Sequence, residues 1–486
     1  MALNKYYSDE LDYLRDLGAE FANENPNLAP FLARTSRDPD VERLLEGFAF
    51  LTGRLRQKID DEMPELSHSL ISLFWPNYLR PIPAATIVEF TPEPGALTAP
   101  HHLERGFVME SAPIDGTACQ FRTCYNLDIV PARIIDAKAE TTAGSSRVTI
   151  TVGFDHGLSL AALGMPNLRF YIDYEREPAV AQELFLQLFN HLDRCEVREA
   201  NGDVRKRLPS SAVTQVGFLP SEEVIPYPLN TFSGYRLLQE YFLFPQKYMF
   251  FNVNLGSQTE ITANRIELTF EFHRNFDNSA RLKRDLFQPI RVDHTKTEYR
   301  VRAAGQRANH FSIYSIDRVR GWVQGQNRRI DYQLFESFRH ADQNSDLGAM
   351  YFRSNVKPAT VGRGVDTYIS FVDDQENLAI PPTQTVTLEL TCTNGTLAER
   401  LGVGALNRPG SDAIPGVGFS NIGQVSHQVP PPISGNLLWR LISNLALNFS
   451  SIASIDSLRT VLSNYNFRAL IDDRERRRME LLLESL

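Results

Sequence analysis

The chain has 486 residues, too many for one ordinary core, so about two to four domains are expected. At 42% hydrophobic and 22% charged, its composition is that of a globular protein. A net charge of −9 and a pI near 5.7 exclude the broad basic face that a nucleic-acid binder needs.

The amino terminus, MALNKYYSDELDYL, lacks the basic and apolar regions of a secretory signal. Apolar runs stay short. The longest candidate, Leu437 to Phe449, is broken by Arg440, Ser443, Asn444 and Asn448, so no direct membrane insertion is expected. Cys119, Cys124, Cys195 and Cys392 are scattered, which suits a reducing cytoplasm.

Residues 1–80 read as a helical amino-terminal unit. Tyr7, Leu11, Leu14, Gly18 and Phe21 repeat at 4, 3, 4, 3, a short a/d seam suited to packing on the next helix. Asp38-Pro39 is a good helix start. Val41, Leu44, Leu45, Phe48, Leu51, Leu55 and Ile59 then form one apolar stripe. Pro64 is expected to end this helix after Met63, at a length of roughly 37 Å. Gly47, Phe50 and Gly53 lie away from most of the stripe. Two interior glycines cost about 1 kcal/mol each, which a close neighbouring backbone would offset. Two readings stay open: a central helix within its own domain, and a helix shared with a partner in a bundle. A second helix is expected over Glu65–Trp75, ended by Trp75-Pro76.

Residues 81–225 turn to period two and read as a β-rich domain with a helical insertion near Val180–Leu192. Thr86–Phe90, Ala118–Cys124, Arg147–Val152 and Leu168–Ile172 alternate as strands. Asn201-Gly202 marks a hairpin. Residues 226–260 form an aromatic junction, with Tyr235, Tyr241, Phe242, Phe244, Tyr248, Phe250 and Phe251. Burial between domains is the simple use of these rings; an open platform for sugar or bases is the other. Residues 261–430 read as a second β-rich domain. Its clear strands are Arg265–Phe272 and Thr385–Thr391; Phe335–Arg363 is expected to be a loop and Gly402–Pro432 an irregular connection. Residues 431–486 read as a helical carboxy-terminal segment. One helix follows Ser434 and another carries Leu458, Val461, Leu462 and Tyr465. The last shows Met479, Leu482, Leu483 and Leu486 without a C-cap, so either the natural chain continues or a partner covers that stripe. The fold class is therefore α+β multidomain.

Signatures of chemistry are few. The chain has no Walker A loop, HExxH, GxSxG or CxxC pair. Cys119 and Cys124 point to opposite faces if they lie on a strand. His101-His102 sits in a Pro/Gly-flanked loop, and Asp60-Asp61-Glu62 and Asp373-Asp374 suit solvated positions. No catalytic residue, metal ligand or cofactor is assigned.

Three stretches together resemble a known family. YYSDELDYLRDLGAEFANENP, DPDVERLLEGFAFLTGRLRQKIDDEMPEL and LFWPNYLRPIP are similar to the TssF family of type VI secretion baseplates. GYRLLQEYFLFPQKYMFF, LTCTNGTLAERL and PPPISGNLLWRLISNLALNFSSI extend the resemblance over essentially the whole chain. It implies a structural wedge protein and no enzyme, cytoplasmic and held at the inner membrane within the assembled baseplate. The implied partners are TssG, a second TssF copy, TssE, the VgrG hub, and TssK indirectly through TssG. Family members usually extend further, so part of the carboxy-terminal region is expected to be absent. Leu11, Leu14, Phe21, Phe50 and Gly53 are the expected contributors to a helical bundle with TssG or the second copy. Met479, Leu482, Leu483 and Leu486 are the expected second contact. A wedge protein of a phage tail and a carbohydrate-binding β-protein are the alternatives.

Overall fold

The computed structural model describes residues 2–24, 39–199, 202, 204–227, 233–256, 261–277, 281–282, 287–288, 292–296, 299–302, 311–323, 328–336, 351–359, 364–372, 384–410, 413–433, 454–463, 465, 467 and 473–485. Helices and sheets both contribute, as an α+β chain requires. The helix expected after Ser434 and residue Leu486 lie outside the described residues.

The chain opens with α1 (Ala2–Glu24), which packs on α2 (Pro39–Phe74). α2 is one helix of 36 residues, about 54 Å long. It runs straight past the break expected at Pro64, and the two expected helices are one. Proline removes one hydrogen bond from a helix interior. Here regular helix on both sides carries the backbone through that gap. The end at Phe74 is where the sequence placed it: Trp75 leaves the helical region ahead of Pro76, and a tight turn follows over Pro76–Leu79.

Among the described residues the β-structure is antiparallel in all but one pairing, that of Arg328–Leu334 with Tyr351–Pro358. A five-stranded sheet runs Val204–Pro209, Leu192–Glu199, Arg265–Phe272, Ser145–Phe154, Ala132–Thr142. A four-stranded sheet runs Val213–Gln215, Phe250–Asn254, Asn167–Ile172, Phe287–Gln288. Both contribute to one large core, together with α3 (Pro178–Asn190), which supplies Val180, Leu184 and Leu188. Arg265–Phe272 shows why: Ile266, Leu268, Phe270 and Phe272 point into that core, and Glu267 and Glu271 point away. These sheets draw strands from both sides of the 225 and 260 boundaries.

A first six-stranded sheet runs Leu406–Pro409, Val108–Ser111, Gln120–Thr123, Val292–Lys296, Ala85–Pro92, Val417–Asn421. Its two edge strands come from the stretch expected to be irregular. They are short and carry Pro409 and Gly418, which edges tolerate. Cys119 and Cys124 flank Gln120–Thr123 and enter different cores, so the opposite-face reading holds. A second six-stranded sheet runs Tyr299–Arg302, Gln384–Thr393, Ser312–Val323, Arg328–Leu334, Tyr351–Pro358, Val365–Val372. Tyr351–Pro358 lies in the expected loop; its one buried side chain is Phe352, too little to show alternation.

These parts meet at one aromatic hub. Trp75 stacks on Tyr235 with ring centres 4.9 Å apart and touches Tyr78 and Tyr465 at 5.0 and 5.6 Å. Its indole N–H donates to Tyr227 Oη. Ile71, Leu243, Tyr314, Val429 and Phe467 complete the cluster, so α2, α4 (Ser233–Leu243), a strand of the second six-stranded sheet and the carboxy-terminal segment share it. Beneath it Glu240 is buried with Arg236 and Lys247. The Glu240 carboxylate accepts from the Val224 and Ile225 amides at 2.7 and 3.1 Å, from Arg236 Nη1 at 3.3 Å, and from Lys247 Nζ. Desolvation pulls the Lys247 pKa below its ordinary value against the opposing pull of Glu240.

Removing one member of such a cluster leaves buried charge unmatched. Glu240→Ala is expected to cost about 3–5 kcal/mol. Urea unfolding measures it; a loss below about 1 kcal/mol contradicts the central role of this carboxylate.

Candidate interaction surface

α2 has two faces of different character. Ala49 and Gly53 are buried, and so is Leu11 on α1. Small residues four apart let two helix backbones come close, which offsets the helix-propensity cost of Gly53. Arg15 of α1 ties the pair through its Nε to Glu42 Oε1 at 2.8 Å. Roughly 160° around α2 from that contact lies the stripe Leu44, Phe48, Leu51 and Leu55. These four are 74%, 57%, 65% and 59% exposed. Gly47 joins their side, and a Cβ added there would meet nothing within 4 Å.

The expected contact residues therefore divide. Leu11 and Gly53 are buried inside the α1–α2 pair, and Leu14 is half-buried there. Phe21 and Phe50 are exposed. The large stripe was read as one face of an ordinary amphipathic helix. The signal for a second role was the small-residue face opposite it, since one helix neighbour covers only one face.

The carboxy-terminal helices behave differently. Met479 of α6 (Asp473–Glu484) is buried, Leu483 is half-buried, and Leu481 and Leu482 are exposed. The end expected to be uncapped is capped from α5 (Ile455–Ser463). Arg459 Nε donates to the Leu483 carbonyl at 2.8 Å and Nη2 to that of Glu484 at 3.3 Å. Arg478, in the middle of α6, donates to Tyr174 Oη at 3.0 Å and ties the helix to the β-core.

Two other surfaces carry charge or rings without a pocket for chemistry. The outer face of the five-stranded sheet bears cross-strand rows of alternating sign, such as Arg194, Glu271, Arg147, Glu140. An open cleft of about 370 Å³ at its end is lined by those same matched charges. Of the rings Tyr241, Phe242, Phe244, Tyr248, Phe250 and Phe251, only Tyr241 is exposed. A sugar platform needs at least two open rings, so the carbohydrate reading fails there. Cys119, Cys195 and Cys392 are buried, and burial raises their thiols to about 11, 12 and 11. Among the described residues no three His, Cys, Asp or Glu side chains converge as metal ligands, and no helix is long and apolar enough to cross a membrane.

A family model described as "Type VI secretion system, TssF" matches residues 1–480. The chain belongs to the TssF family. TssF is a component of the type VI secretion baseplate. The type VI secretion system component TssF1 of Pseudomonas aeruginosa is 27% identical over 503 residues, covering 93% of this chain and 80% of that protein. A chain in the cryo-electron microscopy structure of the TssK-TssF-TssG baseplate subcomplex is 27% identical, with a TM-score of 0.70 over 90% of this chain and 84% of that one. A chain in the baseplate complex from the type VI secretion system shares the fold at 24% identity, with a TM-score of 0.57 over 98% and 85%.

Two buried carboxylates of the five-stranded sheet set an acid limit on stability. Burial opposes the Glu196 charge, but the Arg198 and Arg207 guanidiniums outweigh it and hold the carboxyl below its ordinary 4.5. Burial likewise opposes the Glu199 charge, and Arg205 with the Ala263 and Thr262 amides holds that carboxyl below 4.5 too. A carboxyl with a depressed folded pKa stabilises the fold above its unfolded value and loses that contribution as pH falls through the folded one. The urea midpoint is expected to stay level from about pH 7 to 5 and to fall below about pH 4.5. Glu196→Gln with Glu199→Gln is expected to lower the plateau and flatten the fall; an unchanged acid limb would sink this assignment.

Proposed function

We propose that this chain is a structural subunit of the baseplate wedge, built to be held between protein partners and without a reaction of its own. The open stripe on α2 carries this reading. Four large apolar side chains in a row at helical spacing suit the seam of a helical bundle. Exposed apolar patches of this kind mark interaction sites. The solved subcomplex unites TssF with TssG and TssK, so TssG is the proposed occupant of the stripe, with TssK following through TssG.

In this reading Leu44, Phe48, Leu51, Leu55, Phe21 and Phe50 face the partner, and Leu11, Leu14 and Gly53 shape the pair from inside. Leu481, Leu482 and Leu483 offer a second contact, with Met479 anchoring their helix. A second TssF copy, TssE and the VgrG hub are proposed as further neighbours on the strength of the family resemblance. The place of action is the cytoplasmic side of the inner membrane, where the wedge would anchor the contractile sheath.

Leu44→Ser, Phe48→Ser and Leu51→Ser together test the seam. Those side chains are open in the free chain, so secondary structure and thermal midpoint are expected to hold. Co-purification with TssG is expected to fall at least roughly tenfold. Full co-purification by a folded triple variant would remove TssG from this face.

A further inference from the structure

A sheet edge offers unpaired amides and carbonyls to any strand that can lie along it, and folds blunt such edges with proline, bulges, charge or shortness. Among the described residues, the edge strands of the four larger sheets are blunted in this way with one exception. Val204–Pro209, Ala132–Thr142 and Leu406–Pro409 each shift register against their neighbour, and two of them end on proline. Val417–Asn421 is weakened by Gly418. Val213–Gln215 and Phe287–Gln288 have three and two residues, and Tyr299–Arg302 has four, two of them arginine. The exception is Val365–Val372, an edge of the second six-stranded sheet. It has eight residues, no proline, no glycine and no register shift against Tyr351–Pro358.

One bond fixes which of its backbone groups face outward. The Ala359 amide donates to the Gly364 carbonyl at 3.1 Å where the two strands join. Hydrogen-bonded and non-hydrogen-bonded positions alternate along an antiparallel pair. Asp366, Tyr368, Ser370 and Val372 therefore bond to Tyr351–Pro358, and Val365, Thr367, Ile369 and Phe371 turn their N–H and C=O groups outward. Phe352 agrees: it lies opposite Phe371, and its carbonyl accepts from the Phe335 amide on its other side. Among the described residues no strand pairs with the outward row. The side chains of the same four residues are half-buried on one face, and Tyr368 on the other is 49% exposed.

We propose that Val365–Val372 pairs antiparallel with the same strand of a second copy of this chain, about a two-fold axis at Tyr368. The strand is complementary to itself. The register centred on Tyr368 engages all four outward residues, with Val365 opposite Phe371 and Thr367 opposite Ile369 of the other copy. Each of these pairs sets a larger apolar side chain against a smaller neighbour. Asp366 falls opposite Ser370, so no like charges meet. A contact of this symmetry occupies both edges and closes. An extended segment of a different protein would require no such symmetry in the strand. The assignment deepens, and to that extent rests on, the second copy named in the proposed function; it is independent of what occupies the α2 stripe.

The four native cysteines are buried, so a cysteine added on this strand reports alone. Tyr368 would face its own copy at a non-hydrogen-bonded position, where Cα atoms lie about 4.5 Å apart, within disulfide reach. Tyr368→Cys in the full chain is expected to give a covalent dimer on mild oxidation. Ser370→Cys is expected to give none, because the two copies of that position would lie about 13 Å apart. Thr367→Pro, added to Tyr368→Cys, removes an outward N–H that the strand's own pairing does not use. The symmetric pair loses that bond twice, so the dimer yield is expected to fall at least roughly tenfold. Leu44→Ser, Phe48→Ser and Leu51→Ser, added to Tyr368→Cys, are expected to leave the yield unchanged. If the proline variant unfolds, the comparison of Tyr368→Cys with Ser370→Cys decides. No covalent dimer from Tyr368→Cys, an equal yield from Ser370→Cys, a yield that falls with the α2 stripe, or a crosslink formed only with added TssG overturns the pairing.

Discussion

A helix neighbour covers one face and leaves the opposite one open. α2 has 36 residues and two faces able to pack, and α1 takes the small one. Ala49 and Gly53 admit α1 closely; Leu44, Phe48, Leu51 and Leu55 are left on the far side. Burying a leucine or phenylalanine side chain gains about 1.5–3 kcal/mol, so four of them in a row hold a large unspent driving force for association. A monomer that kept this stripe inward would have no such reserve. Which side α1 was given decides which face of α2 stays open.

The other end of α2 is as firmly buried as this end is open. Ile71 and Trp75 sit in the aromatic hub, beside rings from three distant stretches of chain. Glu240 lies close by and satisfies two backbone amides and two cations with one carboxylate. Buried charge of that kind is poor at adding stability but harsh on any rearrangement that separates its members. It suits a junction, where several units must keep one relative position. α2 is thus rooted in a rigid hub and projects an apolar face outward from it.

How far the sequence spoke depended on whether a feature is local. Arg265–Phe272 was legible because one face of its sheet is buried and the other carries charge. The end of α2 at Trp75-Pro76 was legible from backbone sterics. Pro64 was misleading, because a proline's local penalty says nothing of the helix on either side that outweighs it. Tyr351–Pro358 was hidden by polar residues on a sheet with a three-residue buried core. The membership of Arg265–Phe272 in a sheet with Leu192–Glu199 is a non-local pairing, and periodicity carries no record of it. On α2 and α1 the sequence already displayed the apolar stripe and the rings of Phe21 and Phe50, all of which the fold leaves exposed. What local pattern could not tell was which of the two faces α1 would choose.

That choice also bears on how force would pass through the molecule. A continuous helix of about 54 Å transmits displacement along its axis far better than a loop of equal length. One end of α2 bears the stripe, and the last turns before the hub carry His68 and Ser69 against Asn355 and Glu336 of the second six-stranded sheet. The open stripe and that contact therefore sit on one continuous helix, with Pro64 between them lacking one backbone hydrogen bond. The body sheets, by contrast, are fixed by a core that spans two sheets and a helix. Stiffness is concentrated in the hub and the body, and the units that reach outward from them are held by thinner contacts. In a baseplate component, that distribution keeps the shape of the centre while the outer faces take up their contacts.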